Sequence, residues 1–519
     1  MPSFRFLLRD LTFWIMCIGL VGYTYRYGQA PPRITLASFR NASSLAGLQG
    51  QAHPEDFVWK PGAPMTHERR GHRLSVLEDG RILVSGGLVG VGSVIQPNRY
   101  LSSSELYDPQ QSRWRLIPNL AARFRHTSTA LPSGEVILIG GQSQEESLAS
   151  TEIFDPQHNR FRPGPELTKS RRLHTATLLA NGRILVAGGY SGSQQSTPFL
   201  YPYGPYQLLE CEEIDPVGST PPVISFMERP RELHSATRLA DGRVLVAGGV
   251  WGDATLSACE IYDPKRRTWQ AAASMKVPRT RHTATLLPDG RVLVIGGSTG
   301  KAIDQTGIEP IPNVYASCEI YDPKADRWTL TDSLRWPRTA FMDALVLPNQ
   351  TILVAGGFGS GNYASNETWE LFDLATETWS VYGSWQVPLH GHRLAYLPSV
   401  NQVFRVGGLS KGLSVNTTSV WDLTTHPIGR FPKLDIQTYI KDQGPETVVD
   451  LQADFDQGVA TITPDIGPVS QGQRTLFSIQ KQTELTLTLD KRYLKMTRTF
   501  QVQPAPPNRP KSTERGSKR

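Results

Sequence analysis

A pair of adjacent glycines recurs seven times along this 519-residue chain, and it constrains the fold more than any other feature. Successive pairs lie roughly 50 residues apart, a period typical of propeller blades. An apolar run precedes each pair, so the same local structure is predicted each time. The pairs are Gly86-Gly87, Gly140-Gly141, Gly188-Gly189, Gly248-Gly249, Gly296-Gly297, Gly356-Gly357 and Gly407-Gly408.

Each copy predicts four antiparallel strands, most clearly in PRTRHTATLLPDGRVLVIGG and the later SCEIYDPKADRW of the fifth copy. HTATLL is the first strand, and Asp289-Gly290 predicts a type I′ hairpin in which both residues have positive φ. Residues 292–295 form a buried second strand, and the following glycines let backbone approach a neighbouring blade. CEIYDP is the third strand, and Trp328 begins the fourth and packs between sheets.

Seven such sheets bury their faces only by stacking around a ring. The repeats resemble the kelch β-propeller family over residues 57–434, which implies an all-β, seven-bladed propeller. FVWKPGAPM precedes the first repeat, whereas the seventh lacks a clear fourth strand. Trp59 is therefore predicted to complete the seventh blade, beside residues near Arg405 to Asp422. Closure by residues 428–431 is the alternative.

The segments outside the repeats predict export and a second small module. Residues 1–30 contain LTFWIMCIGLVGY behind Arg5 and Arg9, which indicates a signal-anchor or a cleaved signal peptide. Residues 31–56 are a linker, and the propeller is expected to be extracytoplasmic, membrane-anchored by its N-terminus or secreted. Residues 447–504 resemble a bacterial immunoglobulin-like β-sandwich module. Residues 505–519 form a disordered basic tail.

Charge and cysteine content narrow the classes of function. The net charge of +7 is modest and falls partly in the tail, and no nucleic-acid motif is present, so nucleic acid is not an expected partner. Cys211, Cys259 and Cys318 share one repeat position, where a small buried residue explains them. No disulfide framework is implied.

Loop direction predicts where a ligand would bind. The Asp-Gly hairpins and Asp-Pro turns share one face, whereas the variable inserts between strands two and three share the other. The third insert is rich in aromatics, of which Tyr201, Tyr203 and Tyr206 are candidate contacts for sugars or peptides. Packing of these rings onto their own blade is the alternative.

Arginines recur in the segment that leads into strand one of each blade. A ring of guanidinium groups near the axis would suit carboxylates, sulfates or phosphates, and some kelch domains resembling this one bind acidic peptides there. The opposing hypothesis pairs each arginine with a repeated blade acid such as Glu105, Glu152, Glu260, Glu319 or Glu370. The candidate ligand-binding arginines are Arg70, Arg125, Arg172, Arg231, Arg281 and Arg338.

A recurring histidine does not predict a metal centre. His72, His126, His174, His234, His282 and His392 belong to different blades, with Met342 in the sixth. Equivalent positions lie apart around a ring, so a histidine bonded to its neighbouring blade is favoured over a metal ligand. Galactose-oxidase-like propellers use a Tyr-His pair and a later histidine around copper; this chain has no such dipeptide and no histidine beyond His426. No metal, cofactor or catalytic residue is predicted.

The sequence therefore favours a non-catalytic binding protein that presents arginine and aromatic side chains to a glycan or an acidic protein segment. A carbohydrate-active enzyme that uses the axial pocket is the alternative. Two or more acids in that pocket, one with a strongly perturbed pKa, would favour the enzyme. A lining of arginine, aromatic and backbone groups would favour binding.

Overall fold

The computed structural model describes residues 59–90, 98–192, 206–300, 313–359, 368–384, 389–410 and 413–425, and the backbone of seven strands between 435 and 502. Every regular element of these residues is a β-strand. No helix in this part of the chain is long and apolar enough to cross a membrane. The predicted signal segment, linker and basic tail lie outside the described residues, as do Tyr201 and Tyr203.

The first three blades each have four strands. From the axis outward, they are Arg73–Val76, Ile82–Ser85, Ser103–Asp108 and Arg113–Pro118; then Thr127–Ala130, Val136–Ile139, Thr151–Asp155 and Arg160–Pro163; then Thr175–Leu178, Ile184–Ala187, Glu210–Ile214 and Val223–Phe226.

The next three blades have the same order. Their strands are Ser235–Arg238, Val244–Ala247, Cys259–Asp263 and Thr268–Ala272; then Thr283–Leu286, Val292–Ile295, Cys318–Asp322 and Arg327–Thr331; then Thr339–Val346, Thr351–Phe358, Thr368–Asp373 and Thr378–Ser384.

The seventh blade is built from both ends of the propeller. Its inner three strands are Arg393–Leu397, Gln402–Val406 and Thr418–Asp422, and its outer strand is Trp59–Pro61. Trp59 pairs with Trp421, and their ring centroids lie 5.8 Å apart. The prediction that the N-terminal strand completes the last blade is confirmed.

The first strands contact one another in sequence around the axis, and the first strand of blade one contacts that of blade seven. The ring is therefore closed and seven-bladed, as the repeats predicted. The core lies between blades, where the second strands are buried along their length: Val292–Ile295 is buried throughout and packs against residues of the neighbouring blades.

Gly-Gly follows the second strand in six blades and lies within the longer Thr351–Phe358 strand of blade six, where in each case the next blade passes very close. Gly296 has a φ of 59°, and a Cβ on it would lie 2.4 Å from the carbonyl oxygen of Arg338 in the following blade. Only glycine fits such an approach at positive φ. Gly297 then donates its N–H to that same oxygen at 2.9 Å.

The hairpin between strands one and two differs from the predicted type I′ turn. Gly290 has a φ of 89°, but Asp289 is not among the residues with positive φ. Gly290 donates its N–H to the carbonyl of Leu287, and Leu287 donates its own N–H to Arg291. This is the pattern of a type I turn followed by a left-handed glycine, the usual three-residue hairpin. The prediction of two positive φ angles was wrong because it assumed a two-residue loop.

The two faces are divided as loop direction predicted. Arg81, next to the hairpin of blade one, donates to Pro156 and Asn159 in the strand three–four turn of blade two. On the other face, Arg70 and Arg172 pair through their backbones with Leu88 and Tyr190, which begin the strand two–three inserts.

Seven strands follow the propeller. The first, second and fifth strands pair in that order in one antiparallel sheet, whereas the seventh, sixth, third and fourth, in that order, extend the sheet of blade six beyond its outer strand. The strands begin at Asp435, ahead of the predicted start of the module at residue 447. Their bounds are Asp435–Gln443, Glu446–Asp454, Val459–Thr463, Gly467–Val469, Arg474–Ile479, Thr483–Lys491 and Leu494–Val502.

Replacing Trp59 by alanine should weaken the seam at which the N-terminal strand joins blade seven. The indole packs on the cluster that includes Trp421 and Trp369. Trp59 is half-buried, so we expect the free energy of unfolding to fall by about 2 kcal/mol, below the ~3–5 kcal/mol of a fully buried tryptophan. Chemical denaturation measures this change. Trp251→Ala is the matched control, since Trp251 is 45% exposed; equal losses for both variants would contradict this account of closure.

Candidate ligand-binding face

The recurring arginines divide into two sets with opposite environments. The first set, which we call the buried arginine series, is fully excluded from solvent, and each member forms an ion pair with a glutamate in strand three of its own blade. Its pairs are Arg69 with Glu105, Arg123 with Glu152, Arg171 with Glu212, Arg231 with Glu260, Arg279 with Glu319, and Arg338 with Glu370.

Each buried arginine joins three parts of the fold, as Arg279 illustrates. Its guanidinium donates to the carbonyl oxygens of Gly296 and Ser317 at 2.6 and 2.9 Å, and to Glu319 at 2.8 Å. Glu319 also accepts the backbone N–H groups of Lys276 and Val277, in the connection from the previous blade. The pair therefore fixes the segment that links two blades.

This geometry corrects two of the predicted ligand contacts. Arg231 and Arg338 belong to the buried arginine series and are 0% exposed. Their guanidinium groups are directed at Glu260 and Glu370 and at backbone carbonyls, so they are not presented to a ligand. For the series as a whole, the hypothesis of pairing with a blade acid is the correct one.

The second set consists of Arg70, Arg125 and Arg172, which we call the arginine triad. They lie one or two residues after members of the buried series, in blades one to three. All three are half-buried, and no described carboxylate lies within ion-pair distance of any of them. The structure thus brings three of the six predicted arginines together, and none of them is ion-paired with a described acid.

The triad arginines are close enough to influence one another's ionisation. Burial, the charges of Arg172 and Arg70, and the opposing effects of Glu232 and Tyr100 together lower the pKa of Arg125 to about 10. Burial also lowers the pKa of Arg70 and Arg172. An anion placed among them would relieve this repulsion, because opposite charge favours the protonated form.

Aromatic rings and amides surround the triad. The Arg172 guanidinium lies 4.6 Å from the centroid of the Tyr190 ring, and the Arg125 guanidinium 5.1 Å from that of Phe124. Arg70 donates to Oδ1 of Asn98 at 3.0 Å. Tyr206, the described member of the predicted tyrosine group, is 36% exposed and packs 5.8 Å from Tyr190.

Arg125 also belongs to a ring of backbone around the axis, which we call the axial ring. Successive blades are joined there by N–H to carbonyl hydrogen bonds of 3.1–3.3 Å, such as Leu173 to Arg125 and Arg281 to Leu233. Most of its residues have positive φ, including Arg281 at 55°. Arg281 is thus at the axial mouth, on the far side from the triad. The ring comprises Gly71, Arg125, Leu173, Leu233, Arg281, Ala340, Phe341 and Gly391.

Four of the six recurring histidines, His126, His174, His234 and His282, contact a hydroxyl group of the preceding blade. Nε2 of His282 lies 2.8 Å from the Ser235 hydroxyl of the preceding blade, and the same contact joins His174 to Thr127. Burial is the largest cause that lowers the pKa of His282, to about 3, and the nearby charge of Arg279 adds to it. No group of three or more described His, Cys, Asp or Glu side chains could hold a metal ion.

The three repeat cysteines are buried and unpaired with one another. Burial raises the pKa of the Cys211, Cys259 and Cys318 thiols to about 12. They are therefore neutral at physiological pH, and their sulfur atoms contact backbone carbonyls within their own blades. This environment agrees with small core residues rather than reactive thiols.

Sequence reasoning missed several residues of this face. Tyr100 and Glu232 act on the triad, and Gln207 donates to Glu232 at 3.0 Å. Trp251 projects from a short hairpin in blade four. For Tyr190 the sequence did carry a signal, because this residue directly follows a Gly-Gly pair. In the structure its backbone pairs with Arg172, the residue after a buried arginine.

Comparison with known proteins supports the fold. Residues 69–121 and 235–276 match the Kelch motif family model. The chain is similar to the solved structure of a fungal alcohol oxidase with catalytic diversity among the AA5 family, in complex with copper. That match has 16% identity and a TM-score of 0.56, and covers 86% of this chain and 99% of the other. No curated protein sequence matches the chain.

The molecule is therefore a seven-bladed β-propeller in which two segments match the Kelch motif, and it shares its fold with the copper-bound fungal alcohol oxidase. At this level of identity the likeness to the oxidase concerns the fold alone. Among the described side chains, four blade histidines contact a hydroxyl group of the preceding blade.

Separating the partners of one buried pair should be more damaging than removing both. Glu319→Ala leaves the Arg279 charge buried without compensation, so we expect a loss of about 3–5 kcal/mol in the free energy of unfolding. The double variant Arg279→Met/Glu319→Leu should be closer to the wild type, because apolar replacement of a buried pair is often neutral. Urea denaturation of the two variants tests this. If both variants are destabilised equally, the hydrogen bonds from Arg279 to backbone carbonyls contribute more to stability than the pairing of its charge with Glu319.

Proposed function

We propose that this protein is a non-catalytic binding module whose insert-bearing face receives an anionic ligand, a glycan or an acidic protein segment. One observation carries the proposal: three neighbouring arginines, Arg70, Arg125 and Arg172, have no described carboxylate partner. In the same segments, the buried arginines are all paired. Guanidinium groups left without acids at a surface are suited to carboxylate or sulfate recognition.

The lining of the face also supports binding over catalysis. Arginine, tyrosine and backbone groups predominate around the triad, and Glu232 is the acid whose charge acts on Arg125 and Arg172. A carbohydrate-active enzyme in the axial pocket remains the second candidate. Hydrolysis or epimerisation of a bound sugar, followed by NMR and abolished in Glu232→Gln, would favour that candidate.

We further propose that the propeller is extracytoplasmic, tethered by its N-terminal segment or released after cleavage, and that the C-terminal strands form an immunoglobulin-like module. The charged start and apolar run of residues 1–30 support export. The three-stranded antiparallel sheet of the first, second and fifth strands, together with the four other strands that pair antiparallel beside blade six, supports the module.

Export can be tested with a reporter. We expect alkaline phosphatase fused after Arg519 to be active, since that enzyme requires an oxidising compartment for its disulfides. The matched fusion lacking residues 1–30 should be inactive. Activity of a cytoplasmic reporter at the same position, with none from the phosphatase, would contradict export.

Removing a triad arginine should weaken binding without unfolding the protein. We expect Arg172→Ala to cost about 1.5–3 kcal/mol of binding free energy for any anionic glycan or peptide identified on an array, the range for a charge-assisted hydrogen bond. Stability should change by less than about 0.5–1 kcal/mol, because Arg172 has no ion-pair partner in the described structure. Arg266→Ala is the control, since its side chain is 80% exposed in the Asp-Pro turn of the opposite face. If Arg172→Ala instead unfolds the protein, the triad arginines are structural residues of the blades and not ligand contacts.

A further inference from the structure

The exposed Trp251 belongs to a hairpin that a chain of hydrogen bonds connects to Glu232. Trp251 is 45% exposed and occupies the hairpin formed by Val250–Trp251 and Ala254–Thr255. Gly252, in the turn of this hairpin, donates its N–H to Oε1 of Gln207 at 2.8 Å. Nε2 of Gln207 donates in turn to Glu232 at 3.0 Å. The hairpin is thereby tied to the acid that acts on Arg125 and Arg172.

The same stretch offers aromatic surface on the neighbouring blade. Tyr206 is 36% exposed and leans on Tyr190, whose ring in turn contacts the Arg172 guanidinium. Aromatic faces in blades three and four therefore flank Glu232. The flat apolar faces of exposed tryptophan and tyrosine rings are suited to stacking against the apolar face of a sugar ring.

The combination of three arginines with one acidic residue, Glu232, favours some anionic ligands over others. The triad supplies cationic donors for a carboxylate, whereas Glu232 is an acceptor that repels a second carboxylate placed next to it. Glu232 accepts one hydrogen bond among the described residues, from Gln207. Sugar hydroxyls can donate to its remaining lone pairs, while the side chains of an acidic peptide cannot.

We propose that the ligand is an acidic oligosaccharide containing a uronate, with its carboxylate among the arginine triad, its hydroxyls on Glu232 and Gln207, and an adjoining sugar ring over Trp251. This proposal rests on the proposed function and specifies its ligand class. The carboxylate and the stacking sugar occupy neighbouring positions because blades three and four are adjacent.

Calorimetry with the full chain and three probes tests the proposal: a short oligogalacturonate, its methyl-esterified form and an oligoglutamate of equal length. We expect the oligogalacturonate to bind at least about tenfold more tightly than either other probe, since esterification removes the charge and the peptide lacks hydroxyls. Trp251→Ala should weaken oligogalacturonate binding roughly three- to tenfold, the range for an aromatic contact. Phe226→Ala is its matched control, because Phe226 is 57% exposed on the outer strand of blade three.

The outcomes separate this inference from the proposed function. Preferential binding of oligogalacturonate, weakened by both Arg172→Ala and Trp251→Ala, supports it. Oligoglutamate binding that depends on Arg172 and not on Trp251 would overturn the uronate inference and leave an anion-binding face. Equal affinity for the methyl-esterified form would overturn both, because the triad would then have no part in recognition. Binding of none of the probes would also overturn the uronate inference.

Discussion

The buried arginine–glutamate pair is the interaction on which the propeller depends. Arg279 joins Glu319 to the carbonyls of Gly296 and Ser317, while its own carbonyl accepts the N–H of Gly249 from the preceding blade. One residue therefore connects its blade, the linking segment and the neighbouring blade. Burying a charge is costly unless it is fully paired, so the arginine, the glutamate and the glycines are required together. Blade seven has Leu389 and Ser419 at these two positions, so neither charged partner is present without the other.

Much of this architecture could be predicted from the sequence because each blade repeats it. The number of blades, the close approach at Gly-Gly and the role of Trp59 all follow from repetition and from one strand left over. The residues of the ligand-binding face were harder to predict from the sequence. Arg69 and Arg70 are adjacent in sequence, yet one is buried against Glu105 and the other faces Asn98. A constant spacing of three residues from the buried arginine to the blade histidine would have assigned Arg231 correctly; Arg338 departs from it, since its blade carries a β-bulge before Met342.

The placement of the two arginine sets separates stability from recognition. In every blade that contains a buried arginine, the same glutamate and backbone partners are present around it. The fold therefore fixes the buried arginine series. The triad occupies the following one or two positions, where other blades have Leu233, Thr280 or Gly391. At the first position the backbone pairs with the start of the strand two–three insert, as in Arg70 and Arg172, and at the second it belongs to the axial ring, as in Arg125. Their side chains can therefore vary between blades, and a sevenfold scaffold can carry an asymmetric surface on which the triad occupies blades one to three and Trp251 the adjacent blade four.

Closure by the N-terminal strand also has a consequence for how the chain is made. Asn416 donates to the carbonyl of Met65 across a sequence separation of 351 residues, in the same blade that pairs Trp59 with Trp421. At about 5–20 residues per second, the first strand leaves the ribosome tens of seconds before its partner does. During that interval Trp59 has no native neighbour, and blade one has an unoccupied flank. The emerging protein must either wait as an open arc or be shielded, so synthesis rate and chaperone access become part of what determines its yield.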